Sequence, residues 1–165
     1  MGATFRDFPD PRRTRTEMTD IDEIKQLKYK YLRCVDLHLW DELGETLADD
    51  VTASYGKRLT YNSREEVLSG LAGQMTDDVV TEHRVTHPEI TVNGDTATGR
   101  WYLQDRVIVA KYSTMIIGAA FYDDAYERRD GRWVITRTGY DRTYEATMDL
   151  KDIPSFRLTD NHLEK

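Results

Sequence analysis

The groups in this chain best suited to moving protons are one strand histidine, two carboxylates and two tyrosines. His83 lies in a β-type segment, where alternation puts it on one face with Val85 and His87. A lone strand histidine is more often a satisfied structural group than a catalyst. Asp36 changes that balance. It follows Val35 at the end of a helical pattern, where the macrodipole disfavours an anion, so its carboxylate needs a donating or positive partner. An imidazole would serve: a carboxylate on one ring nitrogen fixes the tautomer and leaves the other nitrogen to exchange a proton. Asp105 falls between Leu103 and Val107 on an apolar strand face, which is costly unless an arginine or solvent relieves it. Tyr31 lies on the apolar stripe of the helix and Tyr55 ends the segment from Val51. Buried phenols need partners, which core backbone supplies as readily as a ligand oxygen. Arg142, near Tyr140 and Tyr144, has the residue type of a surface salt bridge.

These groups must be positioned by a helical first half and a stranded second half. Asp20 followed by Glu23 has capping-box spacing, and Ile21, Ile24, Leu27, Tyr31 and Val35 recur at helical intervals, predicting a helix of about four to five turns. Trp40, Leu43 and Leu47 predict a second, short helix. Ser63 with Glu66 caps a third through Val67, Leu68 and Leu71. From Glu82 the pattern becomes β-type, with strands expected over 82–92, 96–110, 115–129 and 132–144. Asn93-Gly94-Asp95 and Asp130-Gly131 are the hairpin signals between them. Helices first and an antiparallel meander second make an α+β chain. Residues 1–18, with Pro9, Pro11 and several arginines, lack any period and are expected to form an extended arm. The domain proper is expected over 19–147, and the tail over 148–165 to pack on the barrel or a neighbour.

Composition narrows the partners. Among 165 residues, 23 Lys and Arg face 30 Asp and Glu, a net charge of −7, so a nucleic-acid or anionic-membrane surface is disfavoured. Exposed Tyr122, Tyr126 and Trp133 on the outer sheet face would suit a subunit contact. With Cys34 alone there is no internal disulfide and no thiolate metal site, which fits a cytoplasmic location. His83 and His87, about 13 Å apart along an extended strand, cannot chelate one metal. No serine or cysteine sits in a nucleophile turn, and no window approaches a membrane span.

Several runs of sequence go further. Ile24-Lys25-Gln26-Leu27-Lys28, Tyr31-Leu32-Arg33-Cys34-Val35-Asp36, Leu39-Trp40-Asp41-Glu42-Leu43, His87-Pro88-Glu89-Ile90-Thr91 and Ala97-Thr98-Gly99-Arg100-Trp101-Tyr102-Leu103 closely resemble the bile acid 7α-dehydratase family. Ala120-Phe121-Tyr122 and Gly139-Tyr140 extend the resemblance, which covers about residues 20 to 147. That family belongs to the SnoaL-like group of the nuclear transport factor 2 superfamily, alongside scytalone dehydratase. The resemblance implies a cone-shaped α+β barrel of cystatin-like type, a curved sheet wrapped around N-terminal helices with a deep apolar pocket.

Carried over by position, Tyr31, Asp36, Tyr55, His83, Asp105 and Arg142 match residues that line the family's active site. The resemblance implies Tyr31, Asp36, His83 and Asp105 as catalytic and Tyr55, Arg142 and Tyr112 as substrate-binding. It implies dehydration of a 7-hydroxy-3-oxo-4-ene steroid without cofactor or metal, and a homotrimer. The substrate would be a small hydrophobic molecule, a steroid or polyketide, as free acid or coenzyme A thioester. A hydratase or double-bond isomerase on the same cone, or a non-catalytic binder of such ligands, are the other readings. Two departures fall near the expected pocket mouth: a stretch after Lys111-Tyr112 shorter by about one residue, and Asp141 where the family has an apolar residue.

Overall fold

The first helix begins at the residue expected to cap it, and its cap lies one position earlier. The computed structural model describes residues 18–57 and 59–163; all of the expected arm except Met18 lies outside them. In α1 (Asp20–Asp36) the cap is Thr19, whose hydroxyl oxygen accepts from the Asp22 amide. Thr19 leaves Asp20 free to bind Arg128 and Trp133, tying the helix start to the sheet. The buried stripe runs Ile24, Lys28, Tyr31 and Val35, so a lysine occupies an apolar position while Ile21 faces outward.

α2 (Trp40–Gly44) is shorter than its periodicity suggests. Leu47 is not on it. That residue begins β1 (Leu47–Tyr55) and pairs with Ile135, because the Thr46 hydroxyl caps the Leu43 carbonyl and the chain turns into the sheet. A short β2 (Leu59–Tyr61) precedes α3 (Arg64–Gln74), which Ser63 caps as expected by accepting from the Glu66 amide.

Four long strands follow: β3 (Val79–Asn93), β4 (Thr96–Val109), β5 (Thr114–Arg129) and β6 (Arg132–Asp149). The β3–β4 hairpin turns at Gly94, with φ of 59°, and the β5–β6 hairpin at Asp130-Gly131, two residues whose φ values of 50° and 76° are what a type I′ turn requires. A 3-10 turn, Ala110–Tyr112, joins β4 to β5. The strands form one curved, unclosed sheet in the order β2-β1-β6-β5-β4-β3, antiparallel except where β1 runs parallel to β6. α1 lies over its inner face. The core between them holds Trp101, Leu103, Ile135, Val51 and the helix stripe.

Irregularities in the pairing decide which residues face inward. Two bulges in β6, at Thr136 and Thr143, shift its inner phase, so Ile135, Thr138, Tyr140, Arg142 and Glu145 all lie on the concave face. Tyr122, Tyr126 and Trp133, expected outside, are buried against the helices: Tyr122 and Tyr126 alternate on the concave side of β5. The aromatic residues that do face outward are Tyr102 and Phe121, stacked at 5.1 Å, and Tyr144. His87 is not on the face of His83 either. A bulge between Thr86 and Glu89 gives it a φ of 49° and leaves it exposed.

Candidate active site

Asp36, the last residue of α1, reaches across to β3. One carboxylate oxygen meets His83 Nδ1 at 2.6 Å and accepts from the Thr81 hydroxyl at 2.7 Å; the other accepts from the His83 amide at 3.0 Å. Three donors from one strand thus answer the unfavourable dipole end. With Nδ1 donating to the carboxylate, Nε2 is the free lone pair, and it has no protein partner among the described residues. His83 lines a cleft between α1, α3 and the concave face that opens to solvent.

Phenols dominate the opposite wall. The hydroxyls of Tyr31 on α1 and Tyr55 on β1 lie 2.5 Å apart, and Tyr122 and Tyr140 stack edge-on at 5.2 Å beside them. Burial pushes the Tyr31, Tyr55 and Tyr122 hydroxyls well above the ordinary phenol range, so these groups are donors and not bases at neutral pH. Val35, Leu59, Leu71 and Met75 supply the apolar lining.

Behind the histidine runs a cross-sheet row. Asp105 on β4 lies directly opposite His83, and Gly118 on β5 lies opposite Asp105. The Arg142 guanidinium binds Asp105 through both nitrogens, Nη2 at 2.7 Å, and Glu145 flanks it at 3.3 Å. Gly118 is what admits it: a side chain there would collide with the guanidinium and stand 3.0 Å from the Tyr144 carbonyl oxygen. The cost of a carboxylate on this apolar face is therefore met by a bidentate arginine.

Six of the seven residues singled out from sequence fall into this arrangement: Tyr31, Tyr55 and His83 line the cleft, Asp36 holds the imidazole, and Asp105 with Arg142 stands next along the sheet. Tyr112 does not join them; it is 65% exposed on the 3-10 turn, in a separate depression with Lys111, Met75 and Asp78. Tyr122, Tyr140 and Gly118 went unmarked as site residues. The bulge-shifted phase of β6 hid Tyr140, whereas even spacing with Ala120 was a signal that could have found Tyr122. Among the described residues no three His, Cys, Asp or Glu side chains are grouped to hold a metal, and no helix is long and apolar enough to cross a membrane.

A family model described as a SnoaL-like domain matches residues 16–139, and the chain belongs to that family. Its fold recurs in solved structures. A protein provisionally termed scytalone dehydratase from Novosphingobium aromaticivorans is 22% identical over 79% of this chain and 87% of its own, with a TM-score of 0.70. Hexachlorocyclohexane dehydrochlorinase LinA-type3 from Novosphingobium barchaimii is 22% identical over 76% and 88%, with a TM-score of 0.66. A protein from Nostoc punctiforme with a cystatin-like fold is 22% identical over 77% and 95%, with a TM-score of 0.62. At such identities the likeness speaks for the fold alone.

Proposed function

We propose that this protein is a cofactor-independent hydro-lyase that removes water from a hydroxy-oxo steroid, such as a 7α-hydroxy-3-oxo-4-ene bile acid derivative. The observation that carries the reading is a carboxylate-held imidazole facing a bank of neutral phenols across an apolar cleft. Elimination needs these parts. His83 Nε2 takes the proton from the carbon between the hydroxyl and the enone, and the released electron pair moves through the conjugated system onto the ketone oxygen. The Tyr31 and Tyr55 hydroxyls donate to that oxygen as its charge develops. The pair then returns, the bond to the hydroxyl oxygen breaks, and the imidazolium gives its proton to the departing hydroxide. Asp36 stabilises that imidazolium. Asp105, with both oxygens engaged, anchors Arg142 beside the ring of the cleft-lining Tyr140, and the reading gives Arg142 the polar part of the substrate.

The names of the dehydratase and dehydrochlorinase neighbours support the reading, since both describe loss of a small leaving group. The same reading takes the substrate as free acid or coenzyme A thioester and the location as cytoplasmic. It also gives a homotrimer that buries the outer Tyr102, Phe121 and Tyr144; a monomer at micromolar concentration in light scattering would exclude that assembly. The activity test is incubation with a panel of hydroxy-oxo steroids, followed by conjugated-diene absorbance and mass spectrometry. The expected product is lighter by one water. A product of unchanged mass with a moved double bond would make the protein an isomerase, and no turnover of any member would refute the proposal.

A further inference from the structure

The reaction above leaves unused the two most deeply buried charges among the described residues, which lie behind the tyrosines of the cleft wall. Lys28, one turn before Tyr31 on α1, and Asp124 on β5 form an ion pair at 2.7 Å, both side chains 0% exposed. Apolar residues of similar volume would be at least as stable in such a place, so stability is a poor reason for the pair. Its orientation is informative. Asp124 also accepts from the Tyr126 hydroxyl at 2.8 Å and the Thr138 hydroxyl at 2.7 Å, so three donors surround the anion. The ammonium instead faces the phenols, 3.5 Å from the Tyr122 ring centroid and 4.8 Å from that of Tyr31. A cation over the face of a phenol ring favours negative charge on its oxygen.

We propose that Lys28, held by Asp124 against the rings of Tyr31 and Tyr122, is a positioning residue that strengthens the Tyr31–Tyr55 hydroxyl pair as donors to the developing oxyanion. The proposal rests on the dehydratase reading for its consequence in turnover, but its electrostatic core does not. The groups facing the Tyr31–Tyr55 pair are Lys28 from α1, Tyr122 and Asp124 from β5, Tyr140 from β6, Tyr61 from β2 and His83 from β3. Among the described residues, Lys28 is the one cation whose distance to the Tyr31 ring is this short. Asp124 opposes it and pushes the Tyr31 and Tyr55 hydroxyls up, but its charge is shared among three donors while the ammonium is the group that stands against the ring faces.

The test replaces both charges at nearly constant volume, Lys28→Met with Asp124→Asn. Lys28→Met alone would strand a buried carboxylate. Full-length protein carrying 3,5-difluorotyrosine at position 31, whose phenol titrates below the ordinary tyrosine range, is followed by fluorine NMR without substrate. Removing the pair should raise that titration by about one pH unit or more, a tenfold weaker acid. In protein with the natural tyrosine, kcat should fall about tenfold with KM little changed, as for an interaction made only in the transition state. An unchanged titration in the folded variant would overturn the proposal whatever the substrate. A shifted titration with unchanged kcat would overturn its catalytic part, whereas absence of dehydration by the wild type would count against the activity alone. If the Met/Asn pair fails to fold, Lys28→Gln with Asp124→Asn keeps the hydrogen bonds to Thr138 and Tyr126. Failure of both neutral pairs would make the ion pair structural and the proposal wrong.

Discussion

Raising the pH should unfold this protein earlier than its charge alone would, because the cleft stores phenol protons. Tyr31, Tyr55, Tyr122 and Tyr126 are all under 9% exposed, and burial raises each above the ordinary value of 10.0. The unfolded chain loses those protons as pH passes 10 while the folded chain keeps them. The folded state then binds more protons, and stability falls with rising pH. Each phenol costs about 1.4 kcal/mol at pH 11, so the four together remove ~5 kcal/mol relative to pH 9. Lys28 works the other way, since burial lowers its ammonium below 10.5 and deprotonation relieves that penalty. The net loss should fall short of that sum and still be comparable with the whole stability of many domains. Urea midpoints at pH 9 and 11 measure it. Tyr31→Phe with Tyr55→Phe removes both partners of one hydrogen bond and should cut the alkaline loss by at least half. An equal loss in wild type and double variant would show that these phenols do not stay protonated in the fold.

The acid–base assignment predicts that His83→Ala lowers dehydration about 10²-fold or more, while His87→Ala and His38→Ala, outside the cleft lining, change it little; steady-state kinetics decides. Because Asp36 acts through His83, adding Asp36→Asn to His83→Ala should cost scarcely more, and a multiplicative loss in the double variant would separate the two residues. Gly118→Ala should push Arg142 off Asp105 and destabilise the fold by about 1–3 kcal/mol, read as a lowered Tm; an unchanged Tm would mean the guanidinium has room to spare.

What the sequence made legible was whatever depended on one element and its immediate period. Asp36 at a helix end asks for a donor, and His83 in the neighbouring strand provides two. The turns at Gly94 and Asp130-Gly131 are local chemistry and lie where their residue types put them. What needed the fold was phase. A strict period of two through β6 cannot find Tyr140 and Arg142 beside Ile135, because the bulge at Thr136 inserts one residue between them. Lys28 has the residue type of any helix lysine, and Asp123 and Asp124 stand side by side with the same chemistry. Only the sheet separates them, with Asp123 outward on Arg100 and Asp124 inward on Lys28. Leu47 kept a helical interval from Leu43 yet begins a strand, since the cap at Thr46 outweighs a single apolar spacing.

The geometry of α1 also bears on which carbonyl compounds the cleft can serve. Tyr31 and Asp36 are five residues apart, about 7.5 Å along the helix axis and some 140° around it. The phenol therefore projects into the cleft from mid-helix, while the carboxylate leaves the helix end to hold His83 from the side. Proton removal and oxyanion binding are thus set at separate places. That suits a conjugated enone, whose acidic C–H lies several bonds from its oxygen. It does not suit a simple β-hydroxy ketone, in which the two are neighbours. A steroid with its hydroxyl β to an unconjugated ketone should therefore be dehydrated with a kcat/KM at least ~10²-fold lower than the 7-hydroxy-3-oxo-4-ene compound. That is the usual scale for misplacing a reacting atom by an ångström or more. The comparison is fair because both compounds present an acidified C–H beside the carbon that carries the leaving hydroxyl. Equal turnover of the two would mean that the phenols and the imidazole can converge on neighbouring atoms, and the separation imposed by α1 would not govern the choice of substrate.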